Sequence, residues 1–401
     1  MGGEDRVVSL TMRVVLPVSI LVLTGLLFLT FRPPWTPSIE ARNSIATLED
    51  MMIGGVKQSV LIRGFDVDRP VLLWLHGGPG GPMMPVAHAL GGDLEKHFIV
   101  VHWDQRGSGR SARGTVSHES LNLEQFLSDT HELIEILRRR FHADRIFLLG
   151  HSWGSVLGLI TAQRHPELLY AYIGMGQATN ERRSEELGLE YVRQRARELQ
   201  HEQALRELAD LEPPYLDDPQ KIVIQRRWLS RFGGQVYDGE PFLFWPDIDR
   251  SWALAALRSP EYSWSDLLRY LRASPRVRWA LFHEFKQVDF MTTVPRIEVP
   301  VYFLMGRHDY NMHPSLVEEY YIKLDAPKGK SLIWFEDSAH IPCLEEPDRF
   351  VEVMVTRVLA ETLAAQQGLA VVDRPRAISN DSAVWHHTSR NQPTTAADAR
   401  N

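Results

Sequence analysis

The sequence predicts an α/β protein: a mostly parallel sheet with helices on both faces, interrupted by an inserted helical segment. Three observations predict it. Apolar runs at 71–75, 98–102, 145–149, 168–174, 299–305 and 330–335 have the length and continuity of strands buried on both faces. Stretches of helical period separate several of them, and strand–helix alternation implies parallel pairing with right-handed crossovers. The alternation stops near residue 177 and resumes near 290, so residues 177–289 read as an insertion between two parts of one core, 41–176 and 290–366.

Before that core, Val14 to Phe31 is a run of eighteen residues without a charge. It approaches the length that spans a bilayer and exceeds a typical signal-peptide core. Arg6 and Arg13 precede it, and Arg32 and a proline-rich linker follow. Residues 1–38 are therefore expected to be a transmembrane anchor and linker, with residues 14–31 in the membrane. The N-terminus would be cytoplasmic and the catalytic part extracytoplasmic, by the slight excess of leading positive charge. A cleaved signal peptide remains open.

Within 41–176, Gly55–Ile62 suits an antiparallel strand at a sheet edge. The strand Val71–Leu75 ends in His76-Gly77-Gly78-Pro79-Gly80-Gly81, where backbone N–H groups can approach a ligand closely. The run lacks the spacing and lysine of a phosphate loop, so an oxyanion-binding turn is the alternative. Trp103 to Ser111 follows the next strand, and Asp104 and Arg106 in it are read as fixing the loop. Leu121–Phe141 has apolar positions at helical spacing, Asn122 as N-cap and Arg138–Arg140 at its C-terminal end. The run 145–149 leads into Gly150-His151-Ser152-Trp153-Gly154-Ser155, and Val156–Gln163 continues as a helix until His165-Pro166. Strand, G-x-S-x-G and helix together are the context of a nucleophile elbow, with Ser152 on a strained turn.

The insertion reads as a helical cap over that serine. Trp228, Trp245, Trp252, Trp264 and Trp279, five of the eleven tryptophans, lie in it, mostly as its own core. Beyond it, the strand 299–305 ends in Gly306-Arg307-His308-Asp309, and the strand 330–335 precedes a loop with Ser338-Ala339-His340. Helices are expected at 316–324 and 350–365. Residues 367–401 are polar and patternless and are expected to be a disordered tail.

A hydrophobic fraction of 44% and a charged fraction of 24% suit a globular chain, and a net charge of −7 gives no reason to expect nucleic acid as a partner. The single cysteine, Cys343, excludes an intramolecular disulfide and reads as a small buried hydrophobe. No His/Cys/Asp cluster has metal-ligand spacing, and no cofactor is expected.

A serine hydroxyl becomes a nucleophile when a base takes its proton, and the base needs a carboxylate to hold its tautomer. Ser152, Asp309 and His340 stand in the order Ser, Asp, His, each after a strand. Asp337 competes for the acid role but shares a loop with His340. Gly78 and Trp153 N–H are the oxyanion candidates.

These motifs carry a resemblance. His76-Gly-Gly-Pro-Gly80, Asp104-Gln-Arg-Gly-Ser-Gly-Arg-Ser111, Gly150-His-Ser-Trp-Gly-Ser155, Gly306-Arg-His-Asp309 and Ala339-His340 resemble the α/β-hydrolases of the proline iminopeptidase type, over about residues 45–365. The resemblance implies an α/β-hydrolase fold with a helical cap, and a serine hydrolase that removes N-terminal proline or small residues from a short peptide. It implies cap glutamates that hold the free amine. The stretch associated with that recognition is absent, and Glu284 in His283-Glu284-Phe285 is the nearest candidate. A carboxylester or lactone hydrolase that needs no free amine remains open, as does a silent binding protein on the same fold.

Overall fold

The computed structural model describes residues 16–25, 27, 30, 32–89, 92–114, 116–212, 218–238, 241–242 and 245–367. Its centre is an eight-stranded sheet. The strands are β1 (Ile45–Ile53), β2 (Val56–Gly64), β3 (Val71–Leu75), β4 (Ile99–Trp103), β5 (Ile146–His151), β6 (Leu169–Met175), β9 (Val301–Gly306) and β10 (Lys330–Phe335). Their order is β1-β2-β4-β3-β5-β6-β9-β10. β1 and β2 pair antiparallel, as do β2 and β4, and every later pairing is parallel. The continuous apolar runs make the central strands: β3, β4, β5 and β9 are buried at every position. The alternating run at 55–62 lies one strand in from the edge, which β1 occupies.

Helices cover both faces. α1 (Leu123–Arg140) is capped as its sequence predicts, with the Asn122 side chain accepting a hydrogen bond from Gln125 N–H. α2 (Trp153–Arg164) follows β5 directly. Between β6 and β9 lie α3 (Glu181–Glu198), α4 (Glu202–Ala209), α5 (Pro219–Arg231), the short hairpin β7–β8 (241–242 and 245–249), α6 (Arg250–Arg258), α7 (Trp264–Phe285) and α8 (Phe290–Thr293). Trp228 is buried with Leu189, Val192 and Ile222 in this insertion's own core. α9 (Pro314–Lys323) precedes β10, α10 (Pro342–Glu345) follows it, and α11 (Pro347–Val353), a π-helical stretch at Met354–Leu359 and α12 (Ala360–Gln366) close the described chain. The expected tail lies outside the described residues, apart from Gln367.

The expected membrane-spanning helix is corrected. No helix among the described residues is long and apolar enough to cross a membrane. The single-pass topology and the extracytoplasmic placement fall with it. The linker after it is tied to the insertion: the Arg32 guanidinium donates to the carbonyls of Ser259, Pro260 and Tyr262 at 2.7–3.2 Å.

The loop 103–111 is held by two buried carboxylates. Asp104 accepts from Arg110 N–H and from the Tyr262 hydroxyl, which joins the loop to the start of α7. Burial pushes the Asp104 carboxyl up to about 7. Asp129 on α1 accepts from Arg106 Nε and Nη2, Gln58 Nε2 and Gln125 Nε2, each at 2.8 Å. Removing one partner of a buried pair leaves an uncompensated charge. Asp129→Ala is expected to cost about 3–5 kcal/mol of stability, read as a fall in the urea midpoint, because Arg106 is buried. An unchanged midpoint would show that water replaces the carboxylate at no cost.

Candidate active site

The turn after β5 is built by what cannot fit there. A Cβ on Gly150 would lie 2.3 Å from Gly154 O, and one on Gly154 would lie 2.1 Å from Leu75 O. With both positions bare, β5 passes straight into α2, and Ser152 takes φ 54° and ψ −120°. Such a conformation costs a non-glycine residue about 1–3 kcal/mol and persists where its surroundings over-determine it. Here Ser152 N–H donates to Met175 O at the end of β6, and Ser152 O accepts from Ser155 N–H and Ser155 Oγ.

His340 stands on the loop after β10. Its Nδ1 lies 2.8 Å from Asp309 Oδ2, and both side chains are buried. Asp309 Oδ1 accepts from the N–H groups of Asn311 and Met312 at 3.0 and 2.8 Å, so both carboxylate oxygens are engaged. With the carboxylate as acceptor, it is the Nδ1–H tautomer that pairs with it. Asp337 is exposed, and its backbone N–H donates to Glu346 Oε1. A Cβ on Gly176 would lie 2.9 Å from His340 Cε1, so the chain after β6 packs directly against the ring.

The glycine run after β3 meets the same point. A Cβ on Gly77 would come within 3.0 Å of Ser152 Cβ, so this backbone lies against the serine. Gly78 is the next residue, at φ 119°, where a side chain would be strained. Trp153 begins α2, where N–H groups lack intrahelical partners. A buried network braces the two segments. His76 Nδ1–H donates to Gly77 O, and its Nε2 accepts from Gln105 N–H. Gln105 Oε1 in turn accepts from Trp153 Nε1–H. Burial lowers the His76 pKa to about 4, which keeps the ring in the neutral form this pattern needs.

Glu284, the candidate for holding a substrate amine, lies in the last turn of α7. Its carboxylate accepts from Leu123 N–H at 2.8 Å, satisfying an open donor at the start of α1. Among the described contacts it meets none of Ser152, Asp309 and His340.

Three groups near the site carry signals that sequence reasoning passed over. His151 precedes the serine, and its Nε2 lies 2.9 Å from His340 O. Glu345 accepts from Ala339 N–H and Ile341 N–H, on either side of His340. Glu181, in the first turn of α3, is buried with no hydrogen-bond partner for either carboxylate oxygen among the described residues. It sits behind the Asp309 loop: Ser184, one turn on, donates to Asn311 O, and Tyr191 stacks on Tyr310 at 3.7 Å. Burial, with repulsion from Glu185 and Asp309, lifts the Glu181 pKa well above the usual carboxylate range, although Arg226 offsets part of it. An acidic residue at a helix start reads from sequence as a surface group favoured by the dipole, so nothing marked it. Cys343 is buried, and burial raises its thiol pKa.

A serine at a glycine-flanked turn after a parallel strand, with a histidine–aspartate pair on the loops of later strands, defines a hydrolase class. The chain belongs to the α/β-hydrolase family, whose fold residues 70–347 match. It is 33% identical over 321 residues to the probable aminopeptidase YbaC of Bacillus subtilis, covering 79% of this chain and 97% of that one. It is 26% identical over 297 residues to the proline iminopeptidase of Saccharolobus solfataricus, covering 71% of this chain and 83% of the relative. A solved proline iminopeptidase of Mycobacterium smegmatis shares the fold, with a TM-score of 0.56 at 19% identity over 80% of this chain and all of its own.

Proposed function

We propose that the protein is a serine aminopeptidase of the proline iminopeptidase kind, releasing N-terminal proline or another small residue from short peptides. In this reading Ser152 Oγ attacks the scissile carbonyl as His340 Nε2 takes its proton. Asp309 holds His340 in the required tautomer and stabilises the imidazolium that forms. Trp153 N–H and Gly78 N–H receive the oxyanion. His340 then passes its proton to the leaving amine, and water repeats the sequence on the acyl-enzyme.

The observation that carries the choice of an amine-bearing substrate is the buried Glu181 carboxyl beside the Asp309 loop, which has no hydrogen-bond partner among the described residues. Burial makes the charged form of this carboxyl costly while it stands alone. An incoming ammonium group supplies the counter-ion that makes the charged form tolerable there. Glu284 has its N-terminal helix contact instead, and the amine role passes to Glu181.

Full-length protein is to be assayed with prolyl and alanyl arylamides, their N-acetylated forms and an acetate ester. The free arylamides should be preferred. Loss of a desolvated charge partner is worth about 3–5 kcal/mol, so Glu181→Gln should slow the free arylamides by roughly 10²–10⁴-fold and leave the ester rate unchanged. Equal losses on all substrates would make Glu181 structural. A wild type that ignores the arylamides and cleaves the ester would replace this reading with a carboxylester hydrolase.

A further inference from the structure

The helical insertion does more than roof the serine. After α5 its chain turns at Gly233 (φ 80°) and runs back across the two loops that carry Asp309 and His340. Gly234 O accepts from Tyr310 N–H at 3.0 Å, and Gln235 O accepts from His340 N–H at 3.1 Å. Two residues on, the ring of Tyr237 stacks on His308, with centroids 4.1 Å apart. Tyr237 N–H donates to Glu345 Oε1. The other oxygen of that carboxylate, Oε2, accepts from Ala339 N–H at 3.0 Å and Ile341 N–H at 3.3 Å. One side chain therefore ties the insertion to the N–H groups of both residues that flank His340. The carbonyl of His340 is held from the opposite side by His151 Nε2–H at 2.9 Å. Burial keeps His151 neutral, with its pKa lowered to about 3, so one nitrogen can donate without placing a second charge beside His340.

We propose that Glu345 is a positioning residue: its carboxylate latches the segment 234–237 of the insertion to the loop of the catalytic histidine, so that the insertion sets where His340 stands. The proposal rests on the triad reading above, but not on the choice of an amine-bearing substrate. The physical case is one of direction. The 338–341 loop leaves the sheet edge at β10, the terminal strand, where only one neighbour restrains it. Ser338 Oγ and Asp337 N–H are anchored by Glu346 Oε1. The peptides around His340 itself have their anchors on Glu345, Gln235 and His151. Releasing one of these lets the ring drift relative to Ser152 while the Asp309 contact persists, and a displacement of an ångström can cost about 10²-fold in rate.

The test uses the full chain and a fluorophosphonate probe, whose reaction reports activation of Ser152 by His340 without a peptide substrate. Glu345→Ala should slow labelling about 10–100-fold with no change in the KM of any substrate that the wild type accepts. Glu345→Gln keeps one oxygen acceptor and should lose less. Glu336→Gln, at the exposed pair with Arg307, serves as the control and should label at the wild-type rate. Hydrogen exchange supplies the second measurement: in Glu345→Ala the amides of 234–237 and of 338–341 should lose protection together. Wild-type labelling in Glu345→Ala, or faster exchange in one segment without the other, would overturn the latch. A wild type that never labels would sink the triad reading, and the paired exchange would still decide whether Glu345 couples the two segments.

Discussion

Ser152→Ala is expected to abolish fluorophosphonate labelling and to lower hydrolysis by about 10⁴-fold or more, since members of such a triad act as a unit. His340→Ala should do nearly as much, and the double variant should be no worse than the worse single one. Stability should not fall with the activity. The Ser152 backbone is held by its N–H on Met175 O and its carbonyl on Ser155, none of which needs the hydroxyl. Thermal unfolding of Ser152→Ala within a few degrees of wild type, with labelling lost, is the result that assigns the serine. Residual labelling at the wild-type rate would move the nucleophile elsewhere.

The second large effect is expected from one methyl group. In Gly154→Ala the added Cβ would stand 2.1 Å from Leu75 O, in the middle of the parallel sheet, with His76 O only 2.8 Å away. Backbone at that depth has no rotamer to change, so α2 or β3 must move. Overpacking typically costs about 1–3 kcal/mol where side chains can relax. Here both partners are main chain, and the loss should exceed that range and remove most of the folded protein. Gly55→Ala is the comparison: it has φ 76° but open space around its Cβ position, so only backbone strain opposes it. Urea unfolding of the two variants side by side separates the causes. A Gly154→Ala protein as stable as Gly55→Ala would show that the elbow tolerates what its geometry forbids.

How much of this was legible beforehand follows from the range of the interactions concerned. Short apolar runs with turn signals at their ends mark the strands, and the glycines around Ser152 mark the turn, because both patterns act over a few residues. The order Ser, Asp, His and the position of each after a strand are likewise local facts, and they brought Asp309 and His340 forward before any contact was known. The N-terminal reading went too far for a related reason. An uncharged run reports hydropathy alone, and no helix among the described residues is long and apolar enough to cross a membrane.

By itself, then, the sequence determined the sheet, the elbow and the residue types able to form a charge-relay pair. Tertiary structure alone decided which polar groups lost water and what met them there. Glu284, placed among aromatics, found a helix N-terminus 161 residues away in the chain. Glu181, an ordinary surface acid by pattern, became buried with no hydrogen-bond partner among the described residues when α3 packed behind the Asp309 loop. Glu345 received one N–H donor from the insertion and two from the loop of His340. The free energy of a charged side chain depends on desolvation and on partners distant in the chain, and neither leaves a periodicity to read.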